Sequence, residues 1–316
     1  MRAISQDVLG GPEVLKEIDL PMPAPGPTEV LVRVHAAGLN PTDWKHRAGG
    51  GLLGRPPFVL GWDVSGVVEA VGVGVSLHQP GDEVFGMLRY PSGHGAFAEY
   101  VTAPSRTFAR KPAGVDHVQA GALPLAALTA WQALVDAAGV RAGRRVLVHA
   151  AAGGVGHLAV QIAKARGAHV IGTASAAKHD FLRSLGADEL VDYRSEDFAT
   201  AVKDVDVVLD TIGGDYGPRS LETLRPGGTL VSLVLSRRDD ELSAKAQARG
   251  VRAVDVLVEP DHAAMKAIAA LVEAGRLRAE IAAVFPLAEA AKAHELGETG
   301  RTVGKIVLEI RPSTTK

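Results

Sequence analysis

The segment RVLVHAAAGGVGHLAVQIAKARGA, Arg145 to Ala168, constrains the fold more than any other. A short β-branched run comes first, then a turn of alanines and glycines. Apolar residues at helical spacing follow, with Val155, Leu158, Ala159 and Ile162 on one face. Glycine is costly in a helix, and Ala-Gly-Gly fills a core poorly. One physical reason for such a turn is a large anion lying against the backbone. Ala151, Gly153 and Gly156 hold the spacing G-x-G-x-x-G with Ala in the first place, and Gly154 and Val155 complete the turn. A pyrophosphate approaches only where no side chain stands in the way. The first N–H groups of a helix, with its dipole, favour an anion there. Strand before and helix after are the context a dinucleotide site requires. The competing reading is a tight packing turn and nothing more.

The alternation continues along the chain. AHVIGT (168–173), ELVDY (189–193), VDVVLDTIGG (205–214), GTLVSLVL (228–235) and RAVDVLV (252–258) read as strands with helical segments between them. Strands alternating with helices predict an α/β doubly wound parallel sheet over residues 117–278. The first third is different. EVLVRVHAAGL (29–39), DVSGVVEAVG (63–72), GDEVFGM (81–87) and GAFAEYVTAP (95–104) are short strand candidates bounded by turn residues. They predict a β-barrel-like domain over residues 1–116. Residues 279–316 read as strand, helix and the terminal strand GKIVLEI, which completes that first domain. GALPLAALTAWQALV (121–135) reads as one buried helix, too short for a membrane span.

Composition excludes several classes of function. The net charge is −2 with no long run of one sign, so nothing points to nucleic acid. There is no cysteine, which removes disulfides, thiolate metal sites and cysteine nucleophiles. The N-terminus lacks a signal-peptide pattern, and the expected location is the cytoplasm.

The second strand carries the choice of dinucleotide. NAD sites place an acid about 20 residues beyond the glycines to bind the ribose 2′-OH. Here the strand ends Thr173-Ala174-Ser175 with no carboxylate, and Lys178 follows. Without that acid nothing repels a 2′-phosphate, and a hydroxyl plus an ammonium can bind one. NADPH is therefore the expected cofactor.

The motifs AAGLNPTDWKHRAG, LGWDVSGVVEAVG, GAFAEYV, LPLAALTAWQAL, AAAGGVGHLAVQIAK, VDVVLDTIGG, RPGGTLVSL and GKIVLEI resemble the medium-chain dehydrogenase/reductase superfamily over the whole chain. Within it the chain looks like the zinc-free quinone oxidoreductase (zeta-crystallin-like) group, with its oxoene-reducing relatives. The resemblance implies a Rossmann domain plus a GroES-like catalytic barrel, with the active cleft where they meet. It places Asn40, Trp62 and Leu125 where zinc-dependent relatives have ligands, so no metal is expected. It puts Asn40 at the nicotinamide. It gives Ser175, Lys178 and Tyr193 to the 2′-phosphate, and Ile212 and Leu233 to the remaining cofactor contacts. Relatives pair sheet edges across a two-fold axis, so a homodimer through RAVDVLV, apolar on both faces, is expected.

Oxidising an ordinary alcohol calls for a metal or a Tyr-x-x-x-Lys pair. None of the four tyrosines has a lysine four residues on. A quinone, enone or 2-alkenal instead accepts hydride directly, and the protein positions it and offers a donor to its oxygen. The candidate donors are Asn40, Lys45, Thr129 and backbone N–H groups near Leu233, with Lys45 and His46 expected on a loop entering the cleft. His46 and His94 are read as loop histidines, Trp44 and Trp62 as pocket walls. Two alternatives remain open. One is a non-enzymatic, crystallin-like NADPH-binding protein. The other is a biosynthetic enoyl reductase acting on a carrier-bound substrate, with Arg237-Arg238 as a basic rim.

Overall fold

In the computed structural model, which describes residues 1–91, 95–234 and 240–312, Arg145–Val148 forms strand β1. Helix α1 (Gly156–Ala165) follows across the glycine turn. The further parallel strands are β2 (His169–Ala174), β3 (Glu189–Asp192), β4 (Val205–Asp210), β5 (Leu224–Ser232) and β6 (Arg252–Asp255). Their order is β3-β2-β1-β4-β5-β6, all neighbours parallel. This is the doubly wound order, and it reverses between β1 and β4. A strand covered on both faces reads as a continuous apolar run, and all of β4 is buried. Leu147, Ile171, Val208, Leu230 and Phe198 share one core cluster, each side chain contributing about 1.5–3 kcal/mol by leaving water.

The other sheet is seven-stranded. Its order is 281–286, 305–309, 29–39, 63–71, 83–87 and 108–110, with 100–104 also paired to 29–39. Only the pair 281–286 with 305–309 is parallel. The terminal strand joins this sheet by pairing Ile306 with Leu39 and Leu308 with Ala37. Three short strands, 2–6, 16–19 and 58–59, make a smaller sheet.

The chain divides into two compact units, Met1–Leu128 with Glu259–Lys316, and Thr129–Val258. The divisions expected from the sequence are 116/117 and 278/279. The helix His117–Gly121 packs on the strands 29–39 and 63–71, and the helix His262–Glu273 packs on 108–110. Both therefore count with the antiparallel sheet.

Three local expectations change. Residues 41–49 form a helix, not a loop, so Lys45 and His46 are helical. Asn40 is its N-cap, Pro41 stands at its first position, and Asp43 accepts the Asn40 N–H at 2.6 Å. The helix expected over 121–135 is Pro124–Trp131, continued by a π-helical turn, Gln132–Ala137. The strand expected over 252–258 is regular only at Arg252–Asp255, and its two end residues are exposed. It is an edge strand with partly open faces rather than a strand apolar on both.

Candidate functional site

The carboxyl ends of the parallel strands gather the cofactor candidates of the unit Thr129–Val258. Ala151 to Gly156 follow β1, Ser175 and Lys178 follow β2, and Tyr193 follows β3. Ile212 follows β4 and Leu233 follows β5. In open α/β sheets ligands bind at this end, at the reversal of strand order.

The glycine turn is held from beneath. Ala150 adopts φ +46°, a left-handed conformation costly for a residue with a side chain. Its N–H donates to the Thr173 hydroxyl at 3.2 Å, and the Ala151 N–H donates to the Thr173 carbonyl at 3.0 Å. His149, fully buried, bonds the Thr173 and Ser220 hydroxyls at 3.2 and 3.0 Å. Burial pushes its imidazole down to about 3, helped by the Arg219 charge. Thr173 is thus committed to the turn. A Cβ on Gly156 would stand 2.4 Å from the Ala150 oxygen, so the helix meets the turn at a distance only glycine allows. Close packing is therefore part of why Gly156 is glycine. The anion reading falls on the partly exposed residues Gly153 and Gly154, and on an α1 N-terminus that no side chain caps.

Ser175 is buried and starts the short turn that leads to Lys178, its carbonyl accepting the Lys178 N–H at 2.9 Å. Tyr193 is 48% exposed, with the Arg194 guanidinium 5.9 Å from its ring centre. Both line an open hollow of about 300 Å³ with Phe198, Tyr216 and Arg219. Arg219 is engaged by Asp197 at 2.7 Å, by Asp215 at 3.1 Å and by the Phe198 ring at 4.6 Å. Ile212 is 41% exposed, and its N–H donates to Asp210 at 2.8 Å. The Leu233 N–H donates to the Asp210 carbonyl at 2.9 Å. Thr129 is buried at the start of this unit. Glycines at 153 and 154, an uncapped helix and no carboxylate at the end of β2 fit a dinucleotide phosphate.

The other unit holds Asn40 in a buried polar knot. Its amide Nδ2 donates to Asp63 Oδ2 at 2.9 Å, and its Oδ1 accepts from Lys305. Lys305 Nζ also donates to the Leu39 carbonyl at 2.8 Å and lies 3.5 Å from Asp63. Asp63 Oδ1 accepts the Leu125 N–H at 2.5 Å. Burial raises the Asp63 carboxyl and lowers the Lys305 ammonium, and it pushes Asp43 up to about 8. Lys305, in the terminal strand GKIVLEI, is not among the site residues expected from the sequence. The signal is a lysine at the head of an apolar strand, which needs a buried acceptor.

Lys45 is exposed, on the helix face opposite the buried residues Asp43, His46 and Arg47. Trp62 is fully buried against His46 and Tyr90, with ring centres 5.4 and 5.0 Å away. Trp44 faces the helix Ala290–Glu298 instead, at Gly297 and His294. Among the described residues no three His, Cys, Asp or Glu side chains are grouped to hold a metal. Among the same residues no helix is long and apolar enough to cross a membrane. His94 and Arg237-Arg238 lie outside the described residues.

A parallel doubly wound sheet with an uncapped glycine turn defines a dinucleotide-binding protein. Residues 26–113 match the alcohol dehydrogenase GroES-like domain, and residues 185–308 match a family described as zinc-binding dehydrogenase. The quinone oxidoreductase of Sus scrofa is 35% identical, covering 98% of this chain and 97% of its own. The quinone oxidoreductase from Coxiella burnetii superposes with a TM-score of 0.92 at 41% identity, over 98% of this chain and 99% of that one. The Escherichia coli quinone oxidoreductase complexed with NADPH gives 0.87 at 30% identity, over 98% and 100%. The chain belongs to the zinc-free quinone oxidoreductase group of the medium-chain dehydrogenase/reductases, and is an NAD(P)H-dependent oxidoreductase.

Proposed function

We propose that this protein reduces a quinone or an α,β-unsaturated carbonyl, an enone or 2-alkenal, with NADPH and without a metal ion. The observation that carries the reading is the set of groups at the carboxyl ends of β1, β2 and β3. It has a bare glycine turn, Ser175, Lys178 and an exposed Tyr193, and no acid at the end of β2. Residues 153–156 hold the pyrophosphate, and Ser175, Lys178 and Tyr193 hold the 2′-phosphate. Ile212 and Leu233 flank the cofactor after β4 and β5.

Bound there, the nicotinamide supplies a hydride. An electron-poor acceptor needs no alkoxide to be formed, so the task left to the protein is orientation and charge stabilisation. Asn40 orients the nicotinamide end. Lys45 and Thr129 offer donors to the oxygen on which charge develops, and water supplies the proton; the Leu233 N–H expected to help is committed to the Asp210 carbonyl. The sheet edge at β6 pairs with its copy in a homodimer, which light scattering at micromolar concentration tests; a monomer contradicts it. The function itself is tested by NADPH oxidation against quinones, 2-alkenals and cyclic enones.

A further inference from the structure

Four polar groups are buried together in the unit that carries Asn40. Asp63 is 0% exposed and the Lys305 side chain 2%. Asn40 and Asp43 are equally enclosed. A buried cation is tolerated only when its protons are satisfied, and here they meet the Leu39 carbonyl, the Asn40 amide oxygen and Asp63. Lys305 comes from the last strand of the chain, 265 residues after Asn40.

An asparagine amide has two faces that differ only in which end donates. A neutral neighbour would accept either. Lys305 at one end and Asp63 at the other admit only one: Lys305 donates to Oδ1, and Asp63, whose other oxygen accepts the Leu125 N–H, accepts from Nδ2. The amide is therefore locked with Oδ1 toward Lys305 and one Nδ2 hydrogen on Asp63. The other Nδ2 hydrogen can only donate.

We propose that Lys305 is a positioning residue for hydride transfer, acting through Asn40: with Asp63 it fixes the Asn40 amide so that it presents a donor, never an acceptor. The inference rests on the reading that Asn40 lines the nicotinamide pocket. It assigns to a lysine in an apolar strand a part in the chemistry that its own side chain does not touch.

The test is a cycle of Asn40→Ala, Lys305→Met and the pair, with kcat and KM for NADPH and a quinone. The side-chain amide of Asn40 is also followed by 15N NMR in the cofactor-free protein. Lys305→Met leaves Asp63 unpaired, so Lys305→Met/Asp63→Asn is made alongside to keep a folded, charge-neutral site. Lys305→Met, or the neutral pair should the single variant not fold, is expected to lower kcat about tenfold or more. KM for NADPH stays within about twofold, and the Asn40 amide proton resonances shift. Adding it to Asn40→Ala costs nothing further, since residues acting as a unit are not additive. Effects that multiply in the pair, or an unmoved amide, overturn the inference. A wild-type kcat in Asn40→Ala removes the reading of Asn40 and this inference with it. That outcome differs from the others because it shows in the Asn40 variant alone.

Discussion

Gly172 of β2 lies directly against Ala151 of the glycine turn: a Cβ at Gly172 would stand 2.9 Å from the Ala151 Cβ. The first place of the turn, usually glycine, can be alanine here because the neighbouring strand gives up its own side chain. The two positions are therefore coupled. Gly172→Ala is expected to destabilise the protein by about 1–3 kcal/mol, the ordinary penalty of overpacking. Ala151→Gly in the same chain should recover much of that loss, although Leu190 also stands 3.2 Å from the added carbon. Urea denaturation of both variants and the pair checks this, and strictly additive effects contradict it.

Cofactor choice is expected to rest on Lys178 and Tyr193. Lys178→Ala should weaken NADPH by roughly 1–3 kcal/mol, the range of a charge-assisted bond, and change NADH little. Calorimetric titration of both dinucleotides decides it. Tighter binding of NADH than NADPH by the wild type would defeat the assignment.

Lys45 is exposed on its helix, and that bears on how much it contributes. An ammonium that bonds the developing enolate oxygen more strongly than the ground-state carbonyl lowers kcat when removed and leaves KM nearly unchanged. A buried, aligned donor is worth on the order of 10²–10³ in rate, and water around Lys45 discounts that. Lys45→Met is expected to lower kcat about tenfold to a hundredfold on the best enone. Unchanged kcat takes Lys45 out of the mechanism. A weaker NADPH affinity with normal kcat makes it a cofactor contact.

His149 ties stability to pH. Its folded pKa, about 3, lies below the ordinary value of 6.5 because it is buried. The unfolded chain binds a proton there and the folded chain does not, so its stabilising contribution is complete above pH 6.5. It is lost as pH falls from there toward 3, at about 1.4 kcal/mol per pH unit. In the other unit His117, at about 4, and His294, at about 3, act in the same direction. Denaturation at about pH 7.5 and about pH 5.5 should show the loss. His149→Gln, which keeps a donor and an acceptor for Thr173 and Ser220, should flatten it in the Rossmann unit; an unchanged slope counts against the assignment.

The glycine turn and the parallel strands were legible because their signals are local. Arg145 to Ala168 carry strand, turn and helix in one continuous run. The helix 41–49 was hidden by its polar sequence, although Asn40-Pro41-Thr42-Asp43 spells a helix start once the cap is considered. Lys305 could not be found from sequence, since its meaning lies in Asn40 and Asp63, more than 240 residues away. The shortness of β6 was missed for a related reason. Apolar spacing gives no account of where a strand runs out of partners, and β5 ends beside Asp255.

Metal-independent hydride transfer from NADPH to an electron-poor acceptor is the proposed reaction. The measurement that meets it most directly is steady-state oxidation of NADPH and NADH by chelator-treated protein, screened against quinones, 2-alkenals and cyclic enones. Full turnover of at least one such acceptor, faster with NADPH, is the predicted result. No oxidation with any of them, or activity lost on chelation and restored specifically by zinc, would contradict it.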